Sequence, residues 1–210
     1  MVDVAVVDYG MGNLHSVEQA LRKVAPDAEI IVSDDARVIA NAGRVVFPGQ
    51  GAMPDCMREL EMRGLRDAVL KAARDKPFLG ICIGLQMLFE RSAEGDVAGL
   101  GILRGEVLRF ASNQHDAQGN KLKVPHMGWN RVHHGDHALW NGIEQDARFY
   151  FVHSYYVCPQ DASLVQGTSD YPQPFTCAVA RDNLFAVQFH PEKSQTAGLK
   201  LLQNFMQWNP

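Results

Sequence analysis

Residues 80–86 read GICIGLQ, where an apolar strand pattern stops and a helix pattern begins. Residues 76–81 have the length and apolar character of a buried strand, and the apolar residues within 85–89 recur at helical spacing. This pattern predicts Cys82 on a strand-to-helix turn of an α/β fold. Such a turn is typical of a nucleophile elbow, where flanking glycines remove Cβ atoms that would clash at a strained, exposed apex.

Two roles stay open for Cys82 from these residues alone. Backbone N–H groups at the start of the following helix would favour a thiolate, which is the nucleophilic form of cysteine. A free cysteine is also a common buried hydrophobic residue, and a five-residue G-x-C-x-G match can arise by chance. The choice depends on whether the rest of the chain supplies partner groups.

Length, charge and cysteine usage limit the class of protein. The 210 residues suit one α/β domain of ordinary size, so we expect a single domain over residues 1–210. The four cysteines show no zinc-ribbon or C-x-x-C spacing, which favours reduced thiols and a cytoplasmic location. A formal net charge of −4 without a Lys/Arg-rich run argues against nucleic-acid binding. Without a bilayer-length apolar stretch or a leader pattern, we expect neither a membrane anchor nor a targeting segment.

The two halves of the chain differ in pattern. Strand and helix signals alternate up to Cys82, which predicts a mostly parallel sheet with helices on both faces. From Gly105 onward, short β-rich runs dominate, among them 149–157 and 184–190, which predicts a partly antiparallel carboxyl-terminal half. A closing helix is expected from about residue 195 to residue 208.

Residues suited to catalysis or ligand binding follow four of the predicted strands. These positions are residues 8–13 (DYGMGN), residues 48–52 (PGQGA), Cys82 and residues 190–192 (HPE). The carboxyl ends of parallel strands lie at one edge of a sheet, and open α/β sheets bind ligands there. Four such positions at one edge predict an active site.

A cysteine nucleophile needs a base, and the base needs a group that orients it. His190 can take and return the proton, and Glu192 can hold one imidazole nitrogen while the other faces the thiol. Strand alternation places His190 at the end of a strand, on the same face as Gln188. The alternative is a turn histidine beside a surface glutamate.

The loop 48–52 can supply backbone donors, because glycine lets the main chain approach a ligand closely. We expect an oxyanion hole from the backbone of Ile83, which follows the nucleophile, and from the peptide around Gln50 and Gly51. An ordinary turn before a helix is the alternative for this loop.

Two other motifs do not support a cofactor or a metal site. Residues 10–15 (GMGNLH) begin like a dinucleotide fingerprint, but His15 stands where a third small residue is needed. Residues 133–137 (HHGDH) cross an apparent hairpin turn and lack the spacing that would put three ligands around one ion. We therefore expect neither a cofactor nor a bound metal.

Six stretches carry a resemblance that covers nearly the whole chain. They are DYGMGNLHSV at 8–17, PGQGA at 48–52, GICIGLQ at 80–86, PHMGWN at 125–130, YFVHSYY at 150–156 and FAVQFHPEKS at 185–194. On these motifs the sequence resembles the class I (triad-type) glutamine amidotransferases. Within them, it is similar to the glutaminase subunits of imidazole glycerol phosphate synthases.

The resemblance implies the single-domain class I glutamine amidotransferase fold and a chemistry for the triad. Cys82 would attack the side-chain amide of glutamine, giving a γ-glutamyl thioester and ammonia, and water would then release glutamate. His190 would move the protons and Glu192 would orient it. Glutamine binding carries over to Gly49, Gly51, Gln86, His153, Ser154 and Tyr155. The residue at the position of Gln50 is often valine in the family, which raises the hypothesis that its polar side chain alters formation of the oxyanion hole.

The resemblance also implies a partner, because free ammonia would be protonated and lost in water. That partner is a (β/α)₈ barrel cyclase subunit, which uses the ammonia to form imidazole glycerol phosphate in histidine biosynthesis. Our candidates for the docking face are Asn13, Trp129, Tyr150 and Lys193, since each lies in a motif specific to this subunit. Core packing is the alternative for Trp129 and Tyr150.

Three other functions stay open. One is the amidotransferase subunit of another synthase, such as those that make anthranilate, guanylate or the pyridoxal cofactor. A free-standing thiol hydrolase would be fully active without a partner. A non-catalytic binding module would be expected to lack a member of the triad.

Overall fold

The computed structural model describes residues 2–116 and 118–210. The α-helices in these ranges are α1 (Leu14–Val24), α2 (Ala36–Asn41), α3 (Met53–Met62), α4 (Arg66–Asp75), α5 (Ile83–Gln86) and α6 (Gln195–Gln207). Short 3₁₀ helices lie at Ala138–Trp140, Ala162–Leu164 and Pro191–Lys193. No helix in the described ranges is both long enough and apolar enough to cross a membrane.

The structure describes seven strands in the first half of the chain. They are β1 (Val4–Val7), β2 (Ile30–Ser33), β3 (Arg44–Gly49), β4 (Phe78–Cys82), β5 (Phe89–Ser92), β6 (Val97–Ala98) and β7 (Leu103–Arg109). The later strands are β8 (His126–Arg131), β9 (His133–His134), β10 (Arg148–His153), β11 (Tyr155–Pro159), β12 (Val165–Asp170), β13 (Pro174–Arg181) and β14 (Leu184–Val187).

Among the residues that the structure describes, one mixed sheet of 12 strands runs through both halves of the chain. Its order is β2-β1-β3-β4-β14-β13-β11-β7-β5-β6, with β12 beside β13 and β9 beside β12. The strands from β2 to β14 in this order are parallel, and β13 and β11 then pair antiparallel with their neighbours. This arrangement confirms the parallel first part and the partly antiparallel second half. The two remaining strands, β8 and β10, form a separate antiparallel pair.

The parallel strands are the centre of the hydrophobic core. Every residue of β1 and β4 is buried, as expected for strands that are covered on both faces. Helices α1 and α6 pack against each other, and α2 packs against α4, so the helices cover the sheet as two separate pairs. This agrees with the predicted helices on both faces.

The register of the parallel strands brings the predicted site residues together. Gly49 at the end of β3 is paired with Cys82 at the end of β4, and Val187 of β14 is paired with Ile81. The loop after β3, the turn after β4 and the segment after β14 therefore leave the sheet side by side at its carboxyl edge.

The helix pattern expected after Cys82 is wrong beyond residue 86. Helix α5 ends at Gln86, and Phe89 already belongs to β5, which pairs in parallel with β7. Leu85, Leu88 and Phe89 are all buried, so their apolar character does not mark one face of a helix. A short apolar run has the same appearance in a buried strand as in a buried helix.

The last parallel strand is shorter than the sequence pattern indicates. We expected the strand to run to His190, but β14 ends at Val187. The backbone N–H of Gln188 donates to the Cys177 carbonyl, and the N–H of His190 donates to the Tyr150 carbonyl instead of a neighbouring sheet strand. The direction of His190 is thus set by β10 and by the following 3₁₀ turn.

Candidate active site

Cys82 lies on the sharp turn predicted from the glycines around it. Its backbone adopts φ 57° and ψ −112°, a conformation that is strained for a residue with a Cβ atom. A Cβ atom on Gly84 would lie 1.9 Å from the Phe47 carbonyl oxygen, and one on Gly80 would lie 2.9 Å from the Ala186 Cβ. Only glycine fits at position 84, so the turn can pack directly onto β3. The elbow geometry is therefore present, and the Cys82 residue is 4% exposed.

His190 and Glu192 form the buried pair expected of a base and its orienting group. The Nδ1 atom of His190 lies 2.8 Å from Glu192 Oε1, and the two side chains are only 6% and 1% exposed. Burial alone would lower the pKa of His190. The negative charge of Cys82, together with the hydrogen bond and the charge of Glu192, outweighs the burial and raises the pKa of His190 to about 10.

The other ring nitrogen of His190 is available for chemistry. Nε2 is buried and has no hydrogen-bond partner among the described residues, and His190 lines the same cavity as Cys82. The loop that carries His190 is held in place by Ser194, whose hydroxyl donates to the His190 carbonyl at 2.6 Å and accepts from the Tyr150 N–H at 2.9 Å. The loop of His190 and Glu192 is thus anchored to β10.

The glycine-rich loop after β3 lies against the elbow. A Cβ atom on Gly49 would be 2.4 Å from the Tyr9 hydroxyl oxygen and 2.9 Å from the Ile83 Cβ, so glycine is required for this close approach. Gly51 adopts a φ of +112°, which also favours glycine. The Gln50 carbonyl accepts a hydrogen bond from the Cys56 thiol at 3.6 Å. The assignment of Gln50, Gly51 and Ile83 to an oxyanion hole stays a prediction.

A cavity of about 230 Å³ opens above the thiol. It brings Cys82 and His190 together with the predicted residues Gln50, Gly51, Ile83, Gln86, His153, Ser154 and Tyr155. Gly49 does not line this cavity and lies beside Cys82 in the sheet. Glu192 lies behind His190. The structure therefore gathers nearly all residues that the motifs pointed to.

Glu94 lines the same cavity, although it was not among the residues predicted from the sequence. One of its carboxylate oxygens accepts from the Met53 N–H at 2.8 Å, which ties the segment after β5 to the start of α3. No strand-end motif marks Glu94 in the sequence, because its position depends on the short strand β5 replacing the expected helix. Pro125 and Val152 also line the cavity.

Gln86 and Gln188 form a buried amide pair next to the nucleophile. The Gln86 Nε2 atom donates to the Tyr155 carbonyl at 3.2 Å and to Gln188 Oε1 at 3.0 Å. Gln188 Nε2 in turn lies 3.8 Å from the Cys82 sulfur. The remaining atom, Gln86 Oε1, is buried and has no partner within the described chain, so it can accept a hydrogen bond from a ligand.

His153 is not an acid or base near neutral pH. Burial lowers the pKa of His153 to about 3, and burial also lowers the pKa of its neighbour His126 to about 4. His153 is hydrogen-bonded to the Tyr155 carbonyl at 2.7 Å and to His126 at 2.9 Å. Its side chain therefore shapes the wall of the cavity.

The predicted docking residues lie on and around the pair β8 and β10. Trp129 is 42% exposed and is paired with Tyr150, with their ring centroids 6.1 Å apart. The Lys193 Nζ atom lies 6.0 Å from the centre of the Tyr150 ring. Asn13 precedes α1, which packs against the 3₁₀ turn containing Lys193. Met127, which was not among the predicted docking residues, is 66% exposed two residues before Trp129.

The histidine-rich stretch at 133–137 is not arranged as a metal site. His133 Nδ1 lies 3.6 Å from the Asp146 carboxylate, and both side chains are exposed. Within residues 2–116 and 118–210, no three His, Cys, Asp or Glu side chains are grouped so that they could hold a metal ion.

Comparisons with solved structures agree with this fold. The crystal structure of a glutamine amidotransferase superposes with a TM-score of 0.73 at 17% identity, covering 98% of this chain and 97% of that chain. The crystal structure of a glutamine amidotransferase from Thermotoga maritima gives a TM-score of 0.60 at 17% identity, covering 90% of this chain and 75% of that chain.

Sequence comparisons give a closer relationship. The subunit HisH of imidazole glycerol phosphate synthase from Thiobacillus denitrificans is 66% identical, over 100% of this chain and 92% of that protein. The same subunit from Nitrosospira multiformis is 64% identical over 100% of both chains, and the one from Methylococcus capsulatus is 56% identical over 100% and 98%. The model of the class-I glutamine amidotransferase family matches residues 5–208. The chain therefore belongs to the class-I glutamine amidotransferase family.

Proposed function

We propose that this chain is the glutaminase subunit of an imidazole glycerol phosphate synthase. The observation that carries the proposal is the buried array of Cys82, His190 and Glu192 at the floor of a cavity. The similarity to HisH subunits along the whole chain supports the choice of this synthase among amidotransferases.

The first half of the reaction forms a thioester. The Cys82 thiolate attacks the side-chain carbonyl carbon of glutamine, and the carbonyl oxygen becomes an oxyanion facing the backbone near Gly51 and Ile83. The His190 imidazolium then donates its Nε2 proton to the leaving nitrogen. The C–N bond breaks, so that ammonia leaves and a γ-glutamyl thioester stays on Cys82.

The second half releases glutamate. Neutral His190 accepts a proton from a water molecule as that water attacks the thioester carbon. The C–S bond breaks, the thiolate and the imidazolium are restored, and the product leaves as a γ-carboxylic acid that gives its proton to water and becomes glutamate. Glu192 keeps the same ring nitrogen occupied throughout, so Nε2 alone exchanges protons with the substrate.

The polar groups of the cavity suit the two charges of an amino acid. Glu94 and the unpartnered Oε1 atom of Gln86 can accept hydrogen bonds from the α-ammonium group. The backbone at Ser154 and Tyr155 can donate to the α-carboxylate. This assignment gives a role to the predicted residues and to Glu94.

The proposed acceptor of the ammonia is a (β/α)₈ barrel cyclase subunit that docks on β8 and β10. Two features support this face, namely the exposure of Met127 and Trp129 and the proximity of Lys193 and Tyr150 to the loop of His190. Action in the cytoplasm stays a prediction.

Trapping of the nucleophile tests the proposed chemistry. A glutamine analogue with a diazoketone in place of the amide should alkylate Cys82 and abolish glutamate release, with the modified residue identified by mass spectrometry. Cys158→Ala is a matched control, because Cys158 is a half-buried thiol outside the cavity, and this variant should be alkylated at the wild-type rate. Alkylation of Cys158 without modification of Cys82 would contradict the proposal.

A further inference from the structure

A continuous line of hydrogen bonds runs from β8 to the sulfur of Cys82. Asn130 Nδ2 lies 3.3 Å from His126 Nε2, and His126 Nδ1 lies 2.9 Å from His153 Nε2. His153 Nδ1 lies 2.7 Å from the carbonyl oxygen of Tyr155. The same carbonyl also accepts from Gln86, which is where this line meets the amide pair beside the nucleophile.

The donor and the acceptor of each hydrogen bond made by His126 and His153 follow from which groups can only accept. A peptide carbonyl can only accept, so His153 must carry its proton on Nδ1. Neutral His153 can then only accept at Nε2, which requires a proton on Nδ1 of His126. His126 is left to accept at Nε2 from the Asn130 amide. That amide is itself oriented, because its nitrogen donates to the Asp170 carbonyl and its oxygen accepts from the Arg131 N–H.

The two histidines are held neutral and immobile by their surroundings. His126 is 4% exposed and His153 is 5% exposed. The ring of His126 is stacked on Tyr171, with centroids 4.1 Å apart, and on Phe151, with centroids 5.0 Å apart. Burial of two polar rings in an aromatic cluster costs free energy of desolvation. Hydrogen bonds to both nitrogens of His126 and of His153 offset this cost.

The side-chain amides of Gln86 and Gln188 carry the line of hydrogen bonds to the sulfur of Cys82. Gln188 is fully buried and Gln86 is 1% exposed, and Gln86 uses both of its N–H groups to hold the Tyr155 carbonyl and Gln188 Oε1. This orients the Gln188 amide so that its Nε2 atom lies 3.8 Å from the Cys82 sulfur and can donate one N–H to it. An N–H donor at this place strengthens when the thiol becomes a thiolate, because hydrogen bonds to charged acceptors are the stronger kind.

We propose that this line of hydrogen bonds positions the Cys82 sulfur for attack, with His126, His153 and Gln188 as positioning residues. The histidine pair fixes the Tyr155 carbonyl, this carbonyl and Gln86 fix Gln188, and Gln188 orients the sulfur. The inference rests on the proposed glutaminase function. Positioning matters because a displacement of about 1 Å at a reacting group can cost about 100-fold in rate.

Two substitutions of His126 separate a hydrogen-bonding role from a packing role. His126→Leu keeps the bulk but removes the donor to His153, whereas His126→Asn keeps an N–H group near the place of Nδ1. We expect His126→Leu to lower kcat for glutamine hydrolysis by about 10-fold or more, with a smaller change in KM. His126→Asn should stay within about 3-fold of the wild-type kcat because its amide can replace the lost donor.

Phe175→Leu is the matched control for packing. Phe175 is buried in the same aromatic cluster, with ring centroids 5.3 Å from His153 and 5.8 Å from His126, but it makes no hydrogen bond in the line. It should lower the Tm about as much as His126→Leu while changing kcat by less than about 2-fold. Equal losses of kcat in His126→Leu and His126→Asn, or wild-type kcat in both, would overturn the proposal.

A measurement on the unsubstituted chain covers the case in which a variant does not fold. Nitrogen-15 NMR of the imidazole rings should show His126 and His153 as neutral Nδ1–H tautomers that do not titrate between about pH 5.5 and 8. A ring that titrates in this range, or an Nε2–H tautomer in either residue, would contradict the proposed line of hydrogen bonds. The glutaminase function fails separately, if the wild type releases no more glutamate than Cys82→Ala. In that case the NMR result still tests the line of hydrogen bonds.

Discussion

At Cys82 the backbone conformation has a direct energetic consequence. A φ of 57° with a ψ of −112° is costly for any residue with a Cβ atom, but glycine adopts it freely. We expect Cys82→Gly to be more stable than Cys82→Ala by about 1 kcal/mol in urea unfolding, since only glycine relieves the strain. Both variants lack the thiol and should be inactive. Equal stability would mean that the turn is unstrained.

Glu192 provides a test of the charge balance around His190. Burial lowers the pKa of His190, and Cys82 and Glu192 together raise it to about 10. Glu192→Gln removes one of the raising groups, so the folded pKa should fall and the alkaline limb of the pH–rate profile should move to lower pH. We expect kcat to fall about 100-fold at neutral pH. The control Glu144→Gln, at an exposed carboxylate, should keep both kcat and the profile.

Gln50 differs from the residue often found in the family, and its side chain can be tested alone. The residue is exposed, and its contact with Cys56 uses the backbone carbonyl. We therefore expect Gln50→Val to change the glutaminase rate by less than about 3-fold, both alone and with the cyclase. A larger change in either rate would show that the side chain controls the loop.

At the scale of the elements, the contact between α5 and β3 limits what the elbow tolerates. An alanine Cβ at position 84 would lie 1.9 Å from the Phe47 carbonyl oxygen, which belongs to the backbone of β3 and cannot turn away. We expect Gly84→Ala to lower the free energy of unfolding by about 2 to 3 kcal/mol and to abolish glutaminase activity. Gly64→Ala is the comparison, because Gly64 has a φ of +65° but no atom within 4 Å of the new Cβ. It should lose only about 1 kcal/mol and keep activity.

The elements also show which part of the fold could be predicted. Helix α6 ends within one residue of the bounds expected for the closing helix, and the alternation of strands and helices up to Cys82 predicted the parallel sheet. Helix α5 and strand β14 were both expected to be longer than they are. The α5 error falls where fully buried apolar residues remove the polar and apolar contrast from which a period is read. The β14 error has another cause, because residues 188–190 continue the alternation of a strand although the strand ends at Val187.

At the scale of the whole molecule, the grouping of Cys82, His190 and Glu192 could be predicted, whereas the residues packed around them could not; the catalytic roles stay a prediction. Cys82, His190 and Glu192 stand in short motifs at strand ends, where the chain itself brings them together. Glu94 reaches the cavity through an unexpected strand, and His126 and Gln188 act through contacts between residues 27 and 106 positions apart. No local pattern records such distant pairs, so they become visible only in the folded chain.

The proposed docking face gives a prediction for assembly. Truncation of an exposed aromatic residue at the centre of an interface often costs about 2 kcal/mol, which is roughly 30-fold in Kd. We expect a loss of this size for Trp129→Ala in calorimetric titration with the barrel cyclase. Met206→Ala should bind like the wild type, because Met206 lies near Asp3 and Arg44 at the opposite edge of the sheet. Unchanged binding by Trp129→Ala would remove this face from the interface.

Glutamine hydrolysis at Cys82 is proposed to supply ammonia to a cyclase partner. The most direct test is the rate of glutamate release by the purified chain, measured alone and with the barrel cyclase bound to its nucleotide substrate. We expect slow release alone, strong stimulation by the loaded cyclase, and no release by Cys82→Ala in either case. Rapid release alone that the loaded cyclase does not change would contradict the assignment to this synthase.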